Sequence, residues 1–333
     1  MKKVMKKILL TLGIALLALA VLAAAVYFVV THDWSGAAPV AVTGCENPYI
    51  SRTGRPMVSA HRSGGGIAPE NTLAAFRNVV ESDFEVDIFE FDLALTADEE
   101  LILLHDETLD RTSNAAELFG YENVYPSGHT YEELRRLNMG ENFQNAAGET
   151  PYRGLRGEDI PDDLRVLRLE DLFDFLDGYG EYRFIMEIKD SGERGFRAAD
   201  RVYEILNERD MLSRAIIGTF HGEVTDYMTE HYPDMLRSAG VMEVAALYFY
   251  SLFGIDQPEG FYHFVALQIP DEDYVVKLGT TRLINYAHRH NIAVQYWTIN
   301  DPALAKDLAQ KGADAIMSDY PDVIYGLLKE DTP

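Results

Sequence analysis

The stretch from Ser59 to Asp106 decides the fold. It opens with SAHRSGGGIAPENTLAAF and closes with DIFEFDLALTADEELILLHD, and a run with helical periodicity joins the two. Three short apolar runs within it end in residues that can do chemistry, and His61 and His105 close the first and the third. Because histidine exchanges protons near neutral pH, both are candidates for acid–base catalysis.

The second apolar run carries two carboxylates, Glu90 and Asp92, two residues apart. Side chains alternate along a β-strand, so these two share a face, about 6 to 7 Å apart at roughly 3.3 Å per residue. Phe89 and Phe91 then point toward covering helices. Like charges on one face repel unless a cation lies between them, and hard divalent cations prefer oxygen ligands. The spacing therefore predicts a metal site; alternatively, either carboxylate alone is a buried ion-pair partner.

The run RFIMEIKD (183–190) places Glu187 and Lys189 on one strand face in the same way. In a barrel we expect this to be the face that bears the first carboxylate pair. Glu187 would add a third carboxylate, and Lys189 a positive charge for an anionic substrate. Two histidines, a cation and Arg62 suit phosphodiester cleavage, in which one imidazole protonates the leaving oxygen and the other activates the nucleophile.

From Met57 onward, short apolar runs alternate with helical patterns, which favours a parallel sheet with crossover helices. The candidate strands are Met57–His61, Asp87–Asp92, Leu101–His105, Arg183–Lys189, Ala215–Phe220, Leu236–Gly240, Phe264–Ile269, Ile292–Trp297 and Ala315–Ser318. A (β/α)8 barrel has eight places, so we expect one of these nine to be an accessory strand or no strand. The predicted barrel domain covers residues 57–328.

Three glycines, residues 64–66, precede the first predicted barrel helix, Thr72–Glu81. Glycine permits backbone conformations that other residues avoid, so this loop either brings N–H groups to an anion or is simply flexible. We expect Pro69 in the first helical turn, where a missing N–H costs nothing.

Residues 107–165 interrupt the alternation and are predicted to be an insertion after the third strand. Thr130 and Glu133 form the pattern of a capping box, which predicts a helix start there. Loops at the carboxyl ends of barrel strands shape the active-site mouth, so the insertion is a candidate substrate cap. The alternative is a surface subdomain without a role in the site.

Residues 1–30 are predicted to be a targeting segment outside the fold. Four lysines precede an uncharged apolar run, residues 8–30, which is long enough to cross a bilayer at about 1.5 Å per residue. The basic flank predicts a cytoplasmic N-terminus and an extracytoplasmic catalytic domain on a single-pass cell-membrane protein. We favour an uncleaved anchor over a cleaved signal. Residues 31–56 resemble a stem, and Cys45 in it is either an unremarkable stem residue or a lipid attachment site.

The formal charge of −25 excludes a nucleic-acid-binding surface, because such proteins show basic footprints. The simplest interpretation of this charge is solubility. The single cysteine rules out an intrachain disulfide. Nothing in the sequence indicates a protein partner.

Six runs, in order over about 260 residues, resemble those of the glycerophosphodiester phosphodiesterase family. They are HRSGGGIAPENT from His61, EFDL from Glu90, LLHDETLDRTSN from Leu103, MEIK from Met186, YWTIN from Tyr296 and ADAIMSDYPD from Ala313. The resemblance implies a (β/α)8 barrel, one divalent cation, and hydrolysis of glycerophosphodiesters to sn-glycerol 3-phosphate and an alcohol.

The same resemblance implies the site residues. Glu90, Asp92 and Glu187 would ligate the metal, His61 and His105 would be the acid–base pair, Arg62 and Lys189 would bind phosphate, and Glu70, Asn71 and Trp297 would complete the substrate site. Oxygen ligands fit Ca²⁺ or Mg²⁺ best, and Mn²⁺ also.

The chain departs from the family pattern at Ser63, where glycine usually follows His-Arg, at Phe91 within Glu-Leu-Asp, and at Thr219, where Ser-Phe is common. These changes bear on substrate preference more than on the reaction. One alternative is a sister phosphodiesterase of the same fold that cleaves lysophospholipid or polymer headgroup esters. The other is a binding module with a decayed site, which the intact histidines and carboxylates argue against.

Overall fold

The computed structural model describes residues 2–33, 38–40 and 46–330. The strands, in chain order, are β1 (Met57–Ala60), β2 (Ile88–Leu95), β3 (Leu101–Leu103), β4 (Arg183–Ile188), β5 (Ala215–Gly218), β6 (Ala266–Ile269), β7 (Glu272–Asp273), β8 (Val276–Lys277), β9 (Ala293–Tyr296) and β10 (Ala315–Ser318). The α-helices are α1 (Lys2–Thr31), α2 (Leu73–Val80), α3 (Ala115–Phe119), α4 (Tyr131–Leu134), α5 (Leu169–Leu176), α6 (Gly192–Glu208), α7 (Gly222–His231), α8 (Val241–Phe253), α9 (Thr281–Arg289), α10 (Pro302–Lys311) and α11 (Pro321–Glu330).

Seven parallel strands form the barrel in the order β5-β4-β2-β1-β10-β9-β6. The gap between β5 and β6 is bridged by an eighth, very short segment. Arg237 forms a parallel bridge with Ile217, and Ser238 forms one with Ala266. The predicted (β/α)8 TIM barrel is confirmed, with its eighth place taken by the Leu236–Gly240 run.

The predicted surplus strand is β3, which pairs antiparallel with the end of β2, Leu95 opposite Leu101. It therefore has no place in the parallel ring, and the insertion that follows it separates the second and third parallel strands, β2 and β4. The insertion packs in a separate apolar cluster, in which Leu109, Val124 and Leu134 contact the ends of β2 and β3 through Ala94 and Ile102. The predicted capping box at Thr130 is present.

The barrel interior changes character along the axis. At the amino end, inward residues such as Ala266, Ala293 and Ala315 are small, and the ring of Tyr49 is completely buried in the same cluster. Small side chains leave room for this ring, so Tyr49 closes the bottom of the barrel. Burial raises the pKa of its hydroxyl.

The alternation of side chains predicted for β2 is present, and its outer face packs against a helix. Phe89 and Phe91 are fully buried against the ring of Phe76 on α2, at centroid distances of 5.0 and 5.7 Å. The helix begins later than expected. Thr72 caps it, and Pro69 lies in the preceding turn rather than in the first helical turn.

The segment Thr11–Thr31 of α1 is the single helix, within the described residues, that is long and apolar enough to cross a membrane. The side chains of residues 11–29 are exposed, and Val30 packs against the barrel cluster. The stem cysteine, Cys45, lies outside the described residues.

Asp314 holds the lower end of the barrel together. Its carboxylate, 1% exposed, accepts the backbone N–H of Val294 at 2.7 Å and that of Ser51 at 2.9 Å, and lies 2.8 Å from Nε2 of His288. These contacts join the segment before β1 to α9, β9 and β10. Burial raises the pKa of Asp314 despite these hydrogen bonds.

We expect Asp314→Ala to lower the free energy of unfolding by about 3 kcal/mol, because it leaves several buried donors without an acceptor. Urea denaturation of the protein in detergent micelles measures this. The matched control is Asp307→Ala, whose carboxylate forms an exposed pair with Lys311 and should cost less than about 1 kcal/mol. Equal effects of the two substitutions would contradict the role given to Asp314.

Candidate active site

A cavity of about 160 Å³ opens at the carboxyl ends of the barrel strands. It brings together eight of the ten residues singled out from the sequence, which are His61, Arg62, Glu90, Asp92, His105, Glu187, Lys189 and Trp297. The other two, Glu70 and Asn71, lie directly beside it. The residues singled out from the sequence therefore meet at one end of the barrel, as expected.

The first loop is shaped by an unusual backbone. Arg62 and Ser63 adopt left-handed conformations, with φ of 49° and 64°, before Gly64 at 87°. This tight turn directs the backbone N–H of Arg62 onto Glu90, whose Oε2 accepts it at 2.7 Å. The loop thus places the side chains of His61 and Arg62 at the end of the strand that carries the carboxylates.

The glycines of this loop have structural tasks. The N–H groups of Gly64 and Gly65 donate to His61, and that of Gly66 donates to the carbonyl of Asp319. A Cβ on Gly66 would lie 2.6 Å from the ring of Tyr320, so only glycine allows this approach. Because main-chain carbonyls accept all three N–H groups, the alternative in which this loop brings them to an anion is wrong.

Each candidate catalytic imidazole is held by a carboxylate through Nδ1. His61 Nδ1 lies 2.6 Å from Asp319, and His105 Nδ1 lies 2.7 Å from Asp106. Such a bond fixes the ring orientation and leaves Nε2 for other partners. In His61, Nε2 lies 3.5 Å from the hydroxyl of Thr298.

These contacts change the proton affinities of the groups involved. Burial lowers the pKa of His61, but the carboxylates of Glu90 and Asp319 outweigh it and raise that pKa above its ordinary value. Burial raises the pKa of Asp106, yet the hydrogen bonds from Arg111 and His105 outweigh it and lower that pKa to about 2. Asp106 therefore stays ionised over the physiological range.

The three predicted metal ligands come from adjacent strands. Asp92 on β2 stands opposite Glu187 on β4, and Glu90 lies two residues below Asp92 on the same strand. Glu90 and Asp92 are 4% and 1% exposed. Burial, followed by the neighbouring Asp92 charge, raises the pKa of Glu90 to about 8. Burial also raises the pKa of Glu187, and Lys189 offsets this in part.

The ammonium of Lys189 is the cation nearest to these carboxylates. It lies 2.7 Å from Glu187 and 3.0 Å from Asp92. Burial lowers its pKa, but these two carboxylates outweigh the burial and raise it. This ammonium contacts two of the three carboxyl groups, so the site has more acidic groups than positive charge to balance them.

This excess fits a divalent cation, because the donors are all oxygens and Glu90 needs positive charge to ionise near neutral pH. Among residues 2–33, 38–40 and 46–330, no three such groups stand as a finished coordination shell. The Lys189 ammonium already occupies part of the space between the carboxylates. A bound cation would share or replace its contacts.

The remaining predicted residues support this cluster. Asn71 donates to Asp92 at 3.1 Å. Glu70 accepts from Arg62 at 3.2 Å and from Arg111 at 2.6 Å. Glu70 therefore orients two arginines.

Trp297 lines the cavity, half-buried, with its ring edge-on to Phe220 at 6.1 Å between centroids.

Three residues of this site, Asp319, Asp106 and Arg111, were given no role on the sequence alone. Asp319 stands directly after β10, so its position at a strand end was a usable signal. Arg111 is not at a strand end but in an irregular loop. Its contact with Glu70, 41 residues away, exists only in the folded chain.

A closed parallel barrel with a charged cavity at the carboxyl ends of its strands is the architecture of barrel enzymes. Residues 61–323 match the glycerophosphoryl diester phosphodiesterase family, and the chain belongs to that family. The resemblance stated from the six sequence runs is confirmed.

Relatives cover most of the chain. A glycerophosphodiester phosphodiesterase of Caldanaerobacter subterraneus is 26% identical, over 83% of this chain and 99% of its own. One from Bacillus altitudinis is 24% identical, over 80% and 95%. A solved phosphodiesterase of Oleispira antarctica, in complex with the product sn-glycerol-3-phosphate, shares the fold with a TM-score of 0.60 and 21% identity, over 83% and 97%.

We expect Asp319→Asn to lower the pKa of His61, because a carboxylate that raises it becomes neutral. In the pH profile of kcat/KM, the limb due to this imidazole should move to lower pH, and kcat should fall about tenfold as the ring loses its orientation. Asp301→Asn, an exposed helix cap, is the control. An unchanged profile would show that Asp319 does not act on His61.

Proposed function

We propose that this protein is a membrane-anchored, metal-dependent phosphodiesterase that hydrolyses glycerophosphodiesters to sn-glycerol 3-phosphate and an alcohol. The observation that carries the proposal is the meeting of two carboxylate-held imidazoles, three carboxylates and two cationic side chains in one cavity. Family membership and the activity named for its relatives support it.

Glu90, Asp92 and Glu187 would hold the cation, which when bound would supply positive charge to offset the negative charge that develops on the phosphoryl group. Arg62 and Lys189 bind the same phosphate. The Nε of Arg62 is buried and has no hydrogen-bond partner within the described residues, so it is available to an anion. Asn71 keeps Asp92 oriented.

The proton transfers fall to the imidazoles. One imidazole takes a proton from the attacking water as a P–O bond forms. The other gives a proton to the alcohol oxygen as its P–O bond breaks, so the alcohol leaves neutral. Asp319 and Asp106 fix the orientation of the two rings through Nδ1, and the charge of Asp319 favours the protonated form of His61.

His105→Ala should lower kcat by about 10²- to 10⁴-fold, the range for loss of a general acid or base. The fold should persist, since His105 is part-exposed and contributes little core volume. Release of glycerol 3-phosphate from glycerophosphoethanolamine measures the effect. His231→Ala, at an exposed position on α7, is the matched control. Near-normal turnover by His105→Ala would refute its catalytic role.

A chelator should abolish activity, and Mg²⁺, Ca²⁺ or Mn²⁺ added back should restore it. Glu90→Gln should weaken cation affinity and activity together, because it removes one anionic oxygen donor. Metal titration of activity and direct binding calorimetry test both. Glu208→Gln, exposed on α6, serves as the control. Full activity in excess chelator would overturn the metal requirement.

The N-terminal helix, residues 2–31, would anchor the enzyme with its catalytic domain outside the cytoplasm, as the basic flank indicates. The full chain should therefore stay in the membrane pellet at alkaline pH. Protease added to spheroplasts should digest the catalytic domain. A chain without residues 1–30 should be soluble. Recovery of the full chain in the soluble fraction would contradict anchoring.

A further inference from the structure

A second cavity, of about 520 Å³, lies beside the first. The two share His61, Arg62 and Thr298 as lining residues. The larger one is walled by the glycine loop, by the loops after β9 and β10, and by the insertion. Its insertion residues are Arg111, Thr112, Met139, Asn142, Phe143 and Gln144.

A phosphodiester carries two substituents on one phosphorus. If phosphate binds at Arg62, the two cavities that meet there can each take one substituent. The smaller cavity is lined by Thr219 and Gln268, whose hydroxyl and amide can hydrogen-bond a glycerol unit beside the ring of Trp297. The larger cavity is then left for the alcohol on the other side of the phosphorus.

The charges of the larger cavity are already neutralised. Both oxygens of Glu70 accept hydrogen bonds from Arg111. Of the two Asp319 oxygens, one contacts His61 and the other accepts from Asn300 at 2.7 Å. Both carboxylates that line this cavity, Glu70 and Asp319, are already paired. A quaternary or primary amine would therefore meet no free carboxylate among these lining residues.

Neutral hydrogen-bonding groups, by contrast, remain free. The hydroxyl of Thr112 is buried and has no partner within the described residues. Gln144 is exposed and has no hydrogen bond to the rest of the described chain. Amides and hydroxyls both donate and accept, which matches the hydroxyl groups of a sugar or polyol.

From these contacts we propose that the larger cavity is the leaving-alcohol subsite, and that it selects a neutral polyol over a cationic amino alcohol. The selection rests on the proposed phosphodiesterase function. The insertion, rather than the barrel, provides the selecting groups, Thr112 and Gln144.

The test compares kcat/KM of the full chain in detergent micelles for glycerophosphoglycerol and glycerophosphocholine, whose alcohols are similar in size. The polyol diester should be favoured about tenfold. Thr112→Val and Gln144→Ala should each lower the ratio of the two values about threefold to fivefold, as expected for loss of one neutral hydrogen bond. Gln310→Ala, exposed on α10, should leave the ratio unchanged.

Equal use of the two diesters, or a ratio that neither variant moves, would overturn the subsite while leaving the phosphodiesterase function intact. Failure to hydrolyse either diester would overturn the proposed function and the subsite with it. Since Gln144 is exposed, its substitution should not disturb folding, and thermal unfolding of both variants checks this.

Discussion

The buried negative charge at the mouth of the barrel is the constraint on which the rest of the structure depends. Glu90 and Asp92 are almost fully buried on one strand, and Glu187 stands on the next. Carboxylates at this depth stay ionised only beside positive charge or strong donors. Lys189, Asn71 and the N–H of Arg62 meet part of this need, and a divalent cation would meet the remainder.

The barrel makes this burial possible by separating two interiors. Apolar side chains and the ring of Tyr49 pack together inside the lower end, so stability there comes largely from packing. The upper end gives up apolar packing and holds charged and amide groups instead. The barrel therefore loses packing stability at its mouth, where the charged groups are needed for function. Asp314 and its partners keep the lower end closed.

Much of this was predictable from the sequence, and the reasons are local. The alternating pattern around Glu90 predicted which side chains face inward. The positions of His61 and His105 at the ends of apolar runs indicated that both lie at the mouth of the barrel. The sequence could not show that β3 runs antiparallel, because the direction of pairing depends on a partner strand and not on composition. Nor could it show that Asp319 holds His61, since that contact joins residues 258 positions apart.

The site is therefore assembled from two kinds of parts. The carboxylates stand on strands whose register the whole barrel fixes, whereas His105, Asp106 and Arg111 belong to the insertion side of the mouth. Arg111 binds both Asp106 and Glu70, so one arginine ties the insertion to the first loop. The insertion packs around an apolar cluster that includes Ala94 of β2 and Ile102 of β3, whereas Gln144 is exposed and lies outside that cluster. In the proposed subsite, a change at such an exposed residue would alter which alcohol is selected and leave the groups around the phosphorus in place.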